Sequence, residues 1–126
     1  MTDKDINQEI KILINQFNAQ NFEHVILKSK TLIKKNSQNV ILYNLLGSAY
    51  QNTGNYLNAK IIFEEGLKLD RKNVALTNNL AMSYKNLLEY EKSKNLFEKI
   101  INENKNYINA YVNFGNLKRD LNQFDD

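Results

Sequence analysis

Cysteine and proline are absent from this chain, and glycine occurs only four times. Without cysteine there can be no disulfide and no thiolate metal site, although this leaves the redox compartment open. The shortage of proline and glycine removes the turn residues that a many-stranded sandwich or barrel requires, so a mostly helical protein is expected. His24 is the only histidine, which leaves no histidine cluster for a metal. No run approaches the roughly 18 apolar residues of a membrane span, and Met1-Thr2-Asp3-Lys4-Asp5 lacks the basic patch and apolar stretch of a secretory signal. A cytoplasmic protein with no membrane partner is the expectation. With 126 residues, 42% hydrophobic and 25% charged, the composition is that of one ordinary folded domain. The net charge of +3 is too small to argue for nucleic acid.

What the chain does have is a period. Gly47, Ala81 and Gly115 lie 34 residues apart, each preceded by a large residue, Leu46, Leu80 or Phe114. Four aromatics, Phe22, Tyr56, Tyr90 and Phe124, keep the same interval without a break, and Phe63 repeats in Phe97. Within a unit the apolar positions recur at three and four residues, as in Val40, Tyr43, Leu46, Gly47 and Tyr50, the spacing of an amphipathic helix. Between two such runs sits Asn52-Thr53-Gly54-Asn55, where Gly54 suits a left-handed helix end and Asn55 a following cap. The spacing predicts helices near residues 4–18, 22–35, 39–52, 56–69, 73–86, 90–103 and 107–120.

The run Tyr43-Asn44-Leu45-Leu46-Gly47-Ser48-Ala49-Tyr50, followed by Gly54-Asn55-Tyr56, Asn58-Ala59, Phe63 and Leu67-Lys68-Leu69-Asp70, resembles the tetratricopeptide repeat, a 34-residue helix-turn-helix unit. The resemblance implies an all-α, right-handed superhelix of about three and a half repeats: units 6–39, 40–73 and 74–107, and a partial unit 108–126, in a single domain. The sequence also departs from the family. Its usual proline is replaced by Ser37, Arg71 and Lys105, so the second helices should end on Asn36, Asp70 and Asn104 and run long or fray. The first unit has Leu13 and Ser29 where a small residue and an aromatic are typical. Leu88 stands where Gly54 makes the turn, and there it must either accept a positive φ at a cost or force another turn.

The small residues Gly47, Ala59, Ala81 and Gly115 should mark close helix crossings, so a leucine at Gly47 or Ala59 should overpack. Stacking of this kind lines a concave face with the first helix of each unit, and such grooves accept extended peptides or partner helices. In family terms the groove residues are Asn44, Ser48, Gln51, Asn78, Asn79, Met82, Lys85, Asn86, Asn109, Asn113 and Asn116, joined by Leu45, Asn52 and Arg119. The resemblance implies that Asn79 and Asn113 pair with a bound peptide backbone. Asparagine fills about a sixth of all positions, so abundance alone remains an equal reading of this row. A family subset clamps the carboxylate terminus of chaperone tails with lysine and arginine. The matching positions here are Asn44, Ser48, Asn79, Asn109 and Asn113, without a cation among them, and neutral hydrogen bonds are roughly half as strong as charge-assisted ones.

Lys28, Lys30, Lys34 and Lys35 alternate with core residues and read as a solvated outer face rather than a nucleic-acid surface. Neither a nucleophile elbow nor a phosphate-binding glycine loop is present, and no catalytic residue or cofactor is expected. The expected function is a non-catalytic scaffold for a protein or extended peptide. The alternative is an N-terminal arm of a larger bacterial enzyme such as a transferase. Phe124 reads as the turn aromatic of a fourth unit without its second helix, which would leave Tyr111, Phe114, Leu117 and Leu121 half covered. This open end suggests either a longer chain or self-association.

Overall fold

The computed structural model describes the backbone of residues 2–125 and the side chains of residues 2–122. Among the described residues seven α-helices follow one another: α1 (Asp3–Asn18), α2 (Phe22–Lys35), α3 (Val40–Asn52), α4 (Tyr56–Leu69), α5 (Val74–Asn86), α6 (Tyr90–Glu103) and α7 (Ile108–Asp125). They form an all-α superhelix of helical hairpins, right-handed and about three and a half units long.

Every turn inside a hairpin is built the same way. Gln20, Gly54 and Leu88, 34 residues apart, all take positive φ, at 65°, 81° and 65°. The next amide in each case reaches back five residues, from Asn21 to Gln16 O, Asn55 to Tyr50 O and Glu89 to Tyr84 O, at 2.9, 2.9 and 2.8 Å. This is the Schellman arrangement, which satisfies carbonyls left over at a helix end. Leu88 therefore accepts the left-handed conformation instead of forcing another turn. Asn55 does not cap α4 with its side chain, as the sequence suggested; its amide donates to Thr53 Oγ1 at 3.1 Å.

The turns between hairpins use no proline. Asn36, Asp70 and Asn104 end α2, α4 and α6 as expected, but these helices are neither extended nor frayed, each stopping after 14 residues. One reason is local: Asn39 and Asn73 cap the next helix by accepting from Ile41 N at 3.1 Å and Leu76 N at 3.0 Å. Another is the phenol of Tyr43, which donates to Ser37 O at 2.9 Å and ties α3 to the turn before it.

The core runs the length of the stack as three adjoining clusters. Its register is large against small. A Cβ added to Gly47 would lie 2.4 Å from the ring of Phe63, which is fully buried. Phe97 sits at the same place in the next hairpin, with Ala81 in the glycine's position, and stacks on Phe114 with centroids 6.0 Å apart. The first hairpin inverts the pair: Leu13 and Ser29 are both buried, so a large residue on the first helix meets a small one on the second. This inversion leaves Ser29 Oγ without a hydrogen-bond partner.

At the other end, α7 continues to Asp125, past the expected stop at 120. The turn expected just before Phe124 does not form, and the side chain of Phe124 lies outside the described residues. Among the described residues no helix packs beside Asn122, the counterpart of Leu88, to offset the cost of a left-handed conformation there, and the helix continues. Phe114 and Leu117 are buried against the preceding hairpin, not half covered. The uncovered side of α7 instead carries Ile108, Tyr111 and Val112, with Gly115 facing open space.

Two stability predictions follow from this packing. Gly47→Leu should destabilise by about 1–3 kcal/mol through overpacking, whereas Gly115→Ala, at the same register but unobstructed, should stabilise by up to about 1 kcal/mol. Urea denaturation of both variants checks the contrast; effects of the same sign would contradict the crossing. Leu88 is 69% exposed and has little packing to lose. Leu88→Gly should raise stability by about 0.5–1 kcal/mol, the relief of a left-handed φ less the entropy of glycine, read as a higher thermal midpoint.

Candidate functional site: the inner face of the stack

The first helices of the hairpins touch one another, α1 with α3, α3 with α5 and α5 with α7, whereas among the described residues the backbones of the second helices α2, α4 and α6 do not approach one another. The first helices therefore form the narrow, inner side of the curve and the second helices its outer side.

On the inner side, polar side chains join successive helices. Asn79 Nδ2 donates to Asn44 Oδ1 at 2.7 Å, and Asn113 Nδ2 donates to Asn78 Oδ1 at 3.3 Å. Both pairs are 35 residues apart, one more than the repeat, because neighbouring first helices run in the same direction with a small offset. Lys85 and Asp120, also 35 apart, form an ion pair at 3.2 Å between α5 and α7. Ser83 Oγ donates to Gln51 Oε1 at 2.5 Å, again linking α3 to α5. Asn78 is almost fully buried, so its oxygen depends on the Asn113 amide.

The asparagine row is thus partly used inside the molecule. Each primary amide has two donors and two lone pairs, so a single ladder bond leaves capacity on the half-buried Asn44, Asn79 and Asn113. Ser48, Gln51, Lys85, Asn86 and Asn116 are half-buried too, and Asn109 is exposed. Asn116 Oδ1 accepts from the exposed Arg119, and Asn52 Nδ2 bonds back to Ser48 O at 2.8 Å. Met82 packs against the core cluster of the last hairpins. Ser83 and Asp120 were missing from the sequence-derived set, because the offset that brings Asp120 to Lys85 comes from the stacking of the helices and not from the 34-residue period.

The groups with displaced titration lie away from this row. Burial pushes up the Tyr84 phenol, with Glu64 and Glu89 adding to it. The ammonium groups of Lys60 and Lys92 each stand 5.6 Å from the ring centroid of Tyr84, and both also approach Glu89, at 3.8 and 3.9 Å. Among the described residues no three His, Asp or Glu side chains gather as a metal site would require. No helix there is long and apolar enough to cross a membrane.

The family model of the tetratricopeptide repeat matches residues 40–73 and 76–107, about half of the chain. This chain belongs to the tetratricopeptide repeat family. No curated protein matches it. Solved structures share the fold at low identity. The type III secretion translocator chaperone SycD of Yersinia enterocolitica superposes with a TM-score of 0.85 at 15% identity, covering 99% of this chain and 97% of that one. PcrH, solved with the chaperone-binding region of PopD, gives 0.84 at 14% identity, with 100% and 97% covered. The first repeat domain of Spaghetti (RPAP3), bound to the HSP90 peptide SRMEEVD, gives 0.80 at 16%, with 90% and 94% covered.

The ladder predicts strong coupling. Asn113→Ala should cost about 1–3 kcal/mol by leaving the buried Asn78 oxygen unpaired, while Asn78→Val with Asn113→Ala should recover most of that loss. A double-mutant cycle in urea measures it; simple additivity would mean that the bond carries no stability.

Proposed function

We propose that this protein is a non-catalytic scaffold that works in the cytoplasm and binds an extended segment of a partner protein along the inner face. The observation that carries this reading is the ladder itself. It holds Asn44, Asn79 and Asn113 in a fixed row on helices that touch, and each amide retains hydrogen-bonding groups. Held this way, the amides lose little side-chain freedom when a peptide backbone arrives, which lowers the entropic cost of binding. The solved relatives that carry a peptide or a chaperone-binding region support the same use of the fold.

The ligand should differ from the peptide held by Spaghetti (RPAP3). At Asn44, Ser48, Asn79, Asn109 and Asn113 every side chain is neutral, and Lys85 is paired with Asp120. A terminal carboxylate would meet no free cation at those positions, and charge-assisted bonds are about twice as strong as neutral ones. A second copy of the chain would meet the uncovered stripe of α7, outside the inner face.

Calorimetry with a C-terminal Glu-Glu-Val-Asp peptide should show no micromolar binding. Selection from a random peptide library should enrich ligands on the wild-type protein that the folded Asn79→Ala, Asn113→Ala double variant no longer retains. Ligands held equally by both proteins would remove the inner face as the binding surface.

A further inference from the structure

A cleft of about 230 Å3 opens where α4 turns into α5, beside the end of α6 and away from the inner polar row. Its floor is Val74, Thr77 and Ile100, and Arg71, Lys72 and Lys99 stand on its rim. The repeat explains why it is there. Thr77 occupies the register of Tyr43, whose phenol donates to Ser37 O in the preceding hairpin. The counterpart of Ser37 is Arg71, and among the described residues its carbonyl receives no such donor. Behind Tyr43 lies Gly66, where an added Cβ would come within 3.1 Å of the tyrosine Cβ; behind Thr77 the same register holds Ile100. Ile100 fills the space nearest the backbone, and the outer space that a ring and hydroxyl would reach stays open.

The charge at this place is reversed as well. Around Tyr43 the rim positions are Ser37, Gln38 and Glu65, and Glu65 is near enough to add to the upward push that burial gives the phenol. Around Thr77 the same three positions are Arg71, Lys72 and Lys99, all exposed and none in an ion pair among the described residues. Glu103, where the earlier hairpin has Leu69, is the one acidic side chain on the rim. The volume is below the roughly 300–1,000 Å3 of whole-ligand pockets, which suits one side chain of a larger partner.

We propose that this cleft is a second binding site, one that receives a tyrosine side chain from an acidic segment of a partner protein. The ring lies over Val74, Thr77 and Ile100, its hydroxyl donates to Arg71 O as Tyr43 donates to Ser37 O, and flanking carboxylates face Arg71, Lys72 and Lys99. The site is independent of the inner face, so its failure would leave the scaffold reading intact.

The probes are the peptides Glu-Glu-Tyr-Glu-Glu, Glu-Glu-Ala-Glu-Glu and Lys-Lys-Tyr-Lys-Lys, titrated into the full chain while amide shifts of Thr77 and Ile100 are followed by NMR. The acidic tyrosine peptide should bind at least about tenfold more tightly than either control, the factor expected for burying a ring beside complementary charge. Thr77→Tyr supplies the ring from within and should abolish binding while the inner-face ligands are retained. Lys99→Glu, at an exposed position that leaves the fold unaffected, should weaken binding about tenfold on its own and keeps the test decisive if Thr77→Tyr misfolds. Equal binding of the tyrosine and alanine peptides, or undiminished binding to Lys99→Glu, would overturn the proposal.

Discussion

The contact on which the stack depends is the ring of Phe63 seated on the bare backbone of Gly47. A hairpin of two short helices cannot keep both its apolar stripes from water, so its neighbours must cover them. They can do so only if the helices approach closely, and closeness requires a missing side chain on one helix opposite a large one on the other. The chain meets this requirement three times with different pairs: Leu13 with Ser29, Gly47 with Phe63, and Ala81 with Phe97. The summed size is kept while the partners change, which is how cores tolerate substitution. The first pair reverses the order and leaves a buried hydroxyl unpaired on Ser29, a cost that the simpler glycine–phenylalanine pair avoids.

The inner ladder is a consequence of the same closeness. Once α3, α5 and α7 touch, polar side chains facing the contact must find partners or lose their water without compensation. The amide pairs at 35 residues do so, as do Lys85 with Asp120 and Ser83 with Gln51. The row of asparagines thus has a structural role before any ligand arrives. That role narrows what the row offers a peptide, since one valence of each ladder member is already taken.

Much of this was legible in the residues. Apolar spacing placed six of the seven helices to within a residue or so, and the small positions marked the crossings. The end points Asn36, Asp70 and Asn104 were legible too, but the expected lengthening or fraying was not found; caps at Asn39 and Asn73 and the Tyr43 phenol, which act across the turn, restrain the first two. Three features were not legible. Leu88 keeps its strained turn because the flanking helices on both sides fix it, a tertiary constraint that overrides local preference. The end of α7 depends on what packs beside it, which periodicity does not encode. The pairing partner of each asparagine depends on the offset between neighbouring helices, which only the assembled stack defines.

One further property lies in the way the helices meet. The inner helices are bonded and packed to each other, while among the described residues the backbones of α2, α4 and α6 stay apart and each packs instead on first helices. Each outer helix is wedged between two inner ones, α2 between α1 and α3, α4 between α3 and α5, and α6 between α5 and α7. The outer helices therefore act as keystones: they set the distance between inner helices, and with it the pitch of the inner amides.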